Sequence, residues 1–261
     1  MTNNNRATIE TKISNGVEET VYIRGYDVLE LIEQVDFGSV FYLLFREKLP
    51  SPAHSKMLNA ILVSVCDHGI VPSSLTTRIL TSCGVPIQSA VAAGVTSIAD
   101  RHGGACQELS RWLQDASAKI SAGAERATLI EEFVDAYIRN RKPIPGFGHA
   151  LHPGGDPRAI SLINMAERLQ IAGAHVRLLK AVADELERKK SKRIDINVDG
   201  AISAIGSDMG FPWEMARAFV FVSRAAGLAA HAIEEEASEE GWGRWSKELD
   251  WRYVGQSKRT I

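Results

Sequence analysis

Polar and apolar residues alternate over the first twenty-odd positions, and from Tyr26 onward the apolar spacing becomes helical. The alternating stretch T-I-E-T-K-I-S-N-G-V-E-E-T-V-Y-I-R-G runs on both sides of Asn15-Gly16. An Asn-Gly pair flanked this way is a strong short-range hairpin signal, so one small hairpin is predicted and almost no other sheet. Val28, Leu29, Leu31, Ile32 and Val35 then form one apolar stripe. Val40, Phe41, Leu43, Leu44 and Phe45 form a second, which ends at Leu49-Pro50; both have the period of a helix face. Further helices are predicted over 54–65, over the small-residue stretch 89–99, through Trp112 and Leu113, and over 131–140, 160–170 and 176–188. Another starts at Ala201. The longest covers 212–235 and carries Arg224 on mostly apolar faces, where a guanidinium must hydrogen-bond because burying it unpaired is costly. No internal repeat, low-complexity tract or long linker interrupts the pattern. The prediction is an all-α protein with a small N-terminal β-hairpin, one domain over 1–261 with a smaller lobe around 150–220.

Composition narrows this reading without changing it. With 261 residues, 45% apolar and 24% charged, the chain is an ordinary globular protein with a substantial core. A formal charge of −2 gives no bulk attraction to nucleic acid or to an anionic membrane. No apolar run is long enough to span a bilayer, and M-T-N-N-N-R-A-T lacks the apolar core of a signal peptide. Cys66, Cys83 and Cys106 are too few and too scattered for a disulfide framework or a zinc site. A reducing cytoplasm, with no metal, is the expectation.

The richest chemistry lies between Pro145 and Ala159, P-G-F-G-H-A-L-H-P-G-G-D-P-R-A. Gly146 and Gly148 flank Phe147 and open turn angles closed to other residues. His149 follows directly. Asp156 and Pro157 read as a helix start, which puts Arg158 in a first turn where free N–H groups favour anions. Downstream, E-R-K-K-S-K-R over 187–193 reads as a basic loop and N-V-D-G over 197–200 as a carboxylate at a loop tip. Taken alone, each has a plainer reading: Asp199 as a helix cap, Arg224 as one half of an ion pair, His68 as a helix-end histidine.

The order of these pieces closely resembles the citrate synthase family. The resemblance rests on G-F-G-H and D-P-R-A, on D-H-G at 67–69, on R-H-G-G-A at 101–105, on N-V-D-G and on V-S-R-A-A-G at 222–227, and covers nearly the whole chain from Arg24. It implies His102, His149 and Asp199 as catalytic residues, with His68, Arg158 and Arg224 binding the carboxylate-bearing substrate. It implies coenzyme A contacts at Gly146, Phe147 and Gly148. Where many synthases carry a basic residue this chain has His152-Pro153-Gly154-Gly155, so Lys192 and Arg193, with Lys189 and Lys190 beside them, are candidates for the CoA phosphates. Near the C-terminus, Arg244 in G-W-G-R-W matches an arginine that in this family reaches the partner subunit's active site, with Arg252 in reserve.

The chemistry fits those residue types. Making or breaking a bond between an acetyl-thioester methyl and a ketone carbon passes through an enol or enolate. It needs a carboxylate for the methyl proton (Asp199), a donor for the thioester oxygen (His102) and a second proton-handling group at the ketone or hydroxyl (His149). Arginines suit the substrate's carboxylates because they clamp them bidentately.

The segment between Leu49-Pro50 and Asp67-His68 is very short, where full-length citrate synthases carry additional helices. That shortened plan resembles citryl-CoA lyases and the citrate-cleaving module of ATP-citrate lyases, although that module has a different residue in place of His102. The resemblance therefore implies reversible cleavage of citryl-CoA to oxaloacetate and acetyl-CoA. A CoA thioester would be the substrate, with no permanently bound cofactor, and the assembly a homodimer. A citrate synthase that condenses acetyl-CoA with oxaloacetate, or with a related oxo-acid, and also hydrolyses the thioester is the alternative within the family. A CoA-binding regulatory subunit without catalysis is the alternative from another class.

Overall fold

The computed structural model describes residues 9–16, 20–148, 154–238 and 240–248, with Arg252, 254–256 and 259–260. Among these residues the chain is all-α apart from one small sheet. Strands β1 (Ser14–Asn15), β2 (Tyr22–Ile23) and β3 (Tyr26–Asp27) pair antiparallel in that order. Asn15 is itself paired with Tyr22, so the first link covers 16–21 and not a two-residue Asn-Gly turn. The tight turn lies instead at Arg24-Gly25, with φ of 49° and 85°, as a two-residue hairpin of the favoured hand demands. Arg24 tolerates that backbone because its guanidinium donates to the Leu44 and Lys12 carbonyls and to Glu47.

The helices follow in order: α1 Val28–Gln34, α2 Phe37–Arg46, α3 Pro52–Val65, α4 Pro72–Ser82, α5 Ile87–Thr96 and α6 Ala105–Ser121. Then come α7 Arg126–Arg139, α8 Pro157–Arg168, α9 Ala174–Lys190, α10 Val198–Asp208, α11 Ala216–Glu236 and α12 Gly243–Glu248. A 3₁₀ turn over Trp213–Met215 precedes α11, so the longest helix begins later than the apolar pattern suggested. Aspartates start two of the early helices: Asp27 accepts from the Leu29 amide and Asp36 from the Ser39 amide, each filling an otherwise orphaned donor. In α1 only Leu31 is buried, and the apolar stripe read there is otherwise largely exposed, with Leu29 at 61% and Ile32 at 71%. The run E-R-K-K is helical up to Lys190, and the loop begins only at Ser191, whose φ of 50° ends α9. No helix among the described residues is long and apolar enough to cross a membrane.

The chain divides into two compact units. The first comprises the chain up to Ser64 with Ala105–Ala216. Its centre is α10, packed against α6, α8 and α9. Ala201, Ile202, Ala204 and Ile205 of α10 are fully buried, and small residues between the isoleucines let the neighbours close in. Burying each isoleucine contributes roughly 1.5–3 kcal/mol.

The second unit comprises Val65–Gly104 and the chain from Arg217. Here α5 lies on α4 at Gly94, where a Cβ would fall 2.1 Å from Thr77 Oγ1 and 2.9 Å from the Ser73 carbonyl oxygen. This is the close approach that the small-residue run anticipated.

Candidate active site

Each unit carries part of the predicted chemistry. In the first, the loop Pro145–Gly148 is zipped onto the start of α10. The Gly148 amide donates to the Asp195 carbonyl (2.8 Å) and the Asn197 amide to the Gly146 carbonyl (3.0 Å). The Asn197 side chain donates to the Gly148 carbonyl (2.7 Å) and accepts from the Gly200 amide (3.1 Å). Gly146 and Gly148 take φ of 82° and 75°, the left-handed angles their sequence permits. Phe147 is buried. His149 falls in 149–153, outside the described residues.

Asp199 is half-buried in the first turn of α10, not at a loop tip. Asn197 caps that helix, so Asp199 is not needed as the cap.

Arg158 lies in the first turn of α8, and its position is set by Asp156. That carboxylate accepts from the Arg158 amide and Nε at Oδ1 (3.1 and 3.0 Å) and from its terminal nitrogen at Oδ2 (2.9 Å). Oδ2 also accepts from the Val198 amide (2.9 Å), the residue before Asp199. One buried side chain thus ties a proposed substrate arginine to the helix start that carries the proposed base. Burial alone would raise the Asp156 pKa. Arg158 and the Val198 amide outweigh it and hold the carboxyl below the usual range.

Lys192 and Arg193 are exposed in the loop after α9. Arg193 pairs with Asp195 (2.7 Å) and Glu187 (3.5 Å), and it lines a cavity of about 440 Å³ with Ile160, Asn164, Lys180, Asp184 and Ile194 among others. Lys189 is instead turned into ion pairs with Glu131, Asp135 and Glu185.

In the second unit, His68 is half-buried in a turn after α3. Asp67 closes the turn by accepting from the Gly69 amide (2.8 Å). His102 lies ahead of α6, in a tight turn where its amide and carbonyl both bond Ala99 (2.9 Å each). The buried Ser73, in the first turn of α4, bonds His102 Nε2 at 2.9 Å. Burial, and then the positive charge of Arg224, push the His102 pKa below the ordinary histidine value. A neutral imidazole suits a hydrogen-bond donor to a developing oxyanion. Arg224 is 5% exposed on α11 and its Nε donates to the Val65 carbonyl (2.9 Å), the partner its apolar helix required. Arg244, on α12, pairs with Glu235 at 3.8 Å and sits over the Trp245 ring. Arg252 is exposed in the tail.

The sequence does not specify three of these partnerships. Asp156 is legible as a cap but not as a partner of Val198, and Asn197 before an apolar run is a helix-start signal that does not announce its bond to Gly148. Ser73 has no such signal, because its role depends on a histidine 29 positions away.

The described residues define a helical protein in which an aspartate sits at a helix start in one unit, and in the other a histidine in a tight turn lies near a buried arginine. Residues 48–246 match the family model described as the citrate synthase C-terminal domain. The chain belongs to the citrate synthase family. Its fold matches the solved structure of citryl-CoA lyase from Hydrogenobacter thermophilus with a TM-score of 0.88 and 36% identity, covering 98% of each chain. ATP citrate lyase from Methanosaeta concilii, solved with (3S)-citryl-CoA, shares the fold at a TM-score of 0.80 and 19% identity, over 96% of this chain and 42% of that one. The citrate synthase of Acidithiobacillus ferridurans is 27% identical over 247 residues, which are 90% of this chain and 62% of that protein. The chain spans about half to three-fifths of the length of the first curated relatives it matches.

Proposed function

We propose that the protein is a citryl-CoA lyase. The observation that carries this reading is the likeness to the Hydrogenobacter thermophilus citryl-CoA lyase over 98% of both chains at 36% identity. The geometry described above supports it. In cleavage, His149 takes the proton of the tertiary hydroxyl and the bond from the hydroxyl-bearing carbon to the thioester methylene breaks. The electron pair moves onto the thioester oxygen as an enolate, which His102 stabilises by hydrogen bonding. Asp199 then delivers a proton to the methylene carbon, giving acetyl-CoA and oxaloacetate. Condensation is the same sequence reversed, and no water is consumed.

His68, Arg158 and Arg224 bind the substrate's carboxylates in this scheme. Gly146, Phe147 and Gly148 line the thioester, and Lys192 and Arg193 meet the CoA phosphates. The same reading extends to a homodimer in which Arg244 serves the other subunit's site. Citrate synthase activity is the second reading, favoured by the presence of His102, a synthase-like feature.

Citryl-CoA, and separately oxaloacetate with acetyl-CoA, should be supplied while free thiol and acetyl-CoA are followed. Acetyl-CoA formation without thiol release supports the lyase, whereas thiol release from both mixtures supports the synthase. Coenzyme A binding without turnover in either mixture would sink both.

A further inference from the structure

We propose that His231 is a positioning residue that fixes the Asp67-His68-Gly69 turn for the carboxylate-bearing substrate. This rests on the reading of His68 as a substrate contact.

Arg224, Gly227, His231 and Glu235 follow one another at spacings of three, four and four on α11, so they share one helix face. The first three meet the same short segment. Arg224 Nε donates to the Val65 carbonyl at 2.9 Å. At Gly227 a Cβ would fall 2.3 Å from the Cys66 carbonyl oxygen and 3.1 Å from Asp67 Oδ1, so the helix backbone and the turn are in direct contact. His231 Nε2 lies 3.0 Å from the same Asp67 Oδ1. Asp67 therefore uses one oxygen to hold α11, and the other to close the turn around His68 through the Gly69 amide, whose residue takes φ of 67°.

The orientation of the His231 ring follows from its other partner. Arg78 Nε approaches Nδ1 at 3.1 Å. A guanidinium can only donate, so Nδ1 must accept, and Nε2 must carry the proton that goes to Asp67. Arg78 is buried and is held by Glu235 (2.7 Å) and Glu234. The chain Glu235–Arg78–His231–Asp67–Gly69 thus runs through hydrogen bonds with charged partners at both ends of the imidazole, the stronger kind. It has a direction that only a neutral ring, or a side chain with one donor and one acceptor, can maintain.

The test compares His231→Gln, whose amide offers a donor and an acceptor, with His231→Phe, which offers neither. In the condensation direction, His231→Phe should raise KM for oxaloacetate about tenfold or more and leave KM for acetyl-CoA within about twofold, the pattern of lost substrate binding. His231→Gln should restore most of the difference. Equal changes for both substrates, no change, or a glutamine variant as impaired as the phenylalanine one would overturn the proposal.

A second measurement does not depend on activity or on the phenylalanine variant folding. Nitrogen-15 histidine NMR of the wild-type protein at neutral pH, assigned by loss of one signal in His231→Gln, should show a protonated Nε2 and a bare Nδ1. The opposite tautomer or an imidazolium would also overturn it. A wild-type protein inactive on both substrate mixtures but showing the expected tautomer would count against the function and not against the hydrogen-bond chain.

Discussion

Gly146 and Gly200 meet backbone to backbone. A Cβ on Gly200 would fall 2.4 Å from the Gly146 carbonyl oxygen, and one on Gly146 would fall 2.8 Å from Gly200 Cα. The loop leading to His149 and the helix start bearing Asp199 are therefore pressed together at a point where neither side tolerates a methyl group. Gly200→Ala should separate them. We expect a loss of about 1–3 kcal/mol of stability, the usual cost of overpacking, with a fall in kcat of tenfold or more. Thermal unfolding and initial rates measured on one preparation check both. Full activity in a stably folded variant would show that this contact does not matter to the reaction.

Asp199→Asn should lower kcat by about 10²–10⁴-fold, the usual worth of a positioned acid–base group, or roughly 3–5 kcal/mol of transition-state stabilisation. Because Asn197 caps α10, the melting temperature and coenzyme A affinity should stay close to wild type. Asn197→Ala should instead cost about 0.5–2 kcal/mol of stability through the lost cap. A near-normal rate in Asp199→Asn would remove that residue from the mechanism.

The His102 pKa lies below the ordinary histidine value because of burial and of the Arg224 charge. The unfolded chain therefore takes up this proton at a higher pH than the folded one. The folded protein keeps its full share of stability from this group above the ordinary histidine value and loses it as pH falls through the lowered one. Neutral His102 should likewise persist into mildly acidic solution, and the acid limb of kcat/KM attributable to it should appear only below pH 6.5. Arg224→Leu removes the nearby positive charge and should move His102's own titration upward. A nitrogen-15 histidine titration of both proteins measures this directly, and a downward shift would contradict the assigned cause.

The parts of this architecture visible in the sequence were those set by local spacing. Helical periods, the cap at Asp156 and the left-handed glycines at 146 and 148 all depend on neighbours a few positions away. The turn at Arg24-Gly25 was hidden because an arginine holds a left-handed angle there, supported by carbonyls from Lys12 and Leu44. Ser73 with His102, and Asp156 with Val198, are pairings across 29 and 42 positions. Nothing in either local stretch specifies its partner. The exposure of Leu29 and Ile32 was hidden for a similar reason, since periodicity says which residues share a face but not what that face meets.

The last expectation concerns Arg244 and the homodimer proposed above. Arg244 lies on α12 with its side chain about one-third exposed, tethered to the buried Glu235 and laid over the Trp245 ring. Trp242 beside it is 63% exposed, and Trp251 falls outside the described residues. An exposed indole next to an arginine is the composition favoured where a surface is covered by another chain. If Arg244 serves the site of the other subunit across a two-fold axis, Arg244→Ala and Asp199→Asn are complementary defects. Each protein alone should be nearly inactive. In a mixed dimer one site carries both defects and the other carries neither. Random reassortment makes half of the dimers mixed, each with one working site, so about a quarter of wild-type activity should return. Subunit exchange is verified independently by mixing differently tagged proteins and recovering the doubly tagged dimer. If exchange is complete and activity stays at the level of the separate mutants, Arg244 acts within its own subunit or takes no part in the reaction. If sedimentation shows only monomers while wild-type activity is full, the dimer itself is excluded as a requirement.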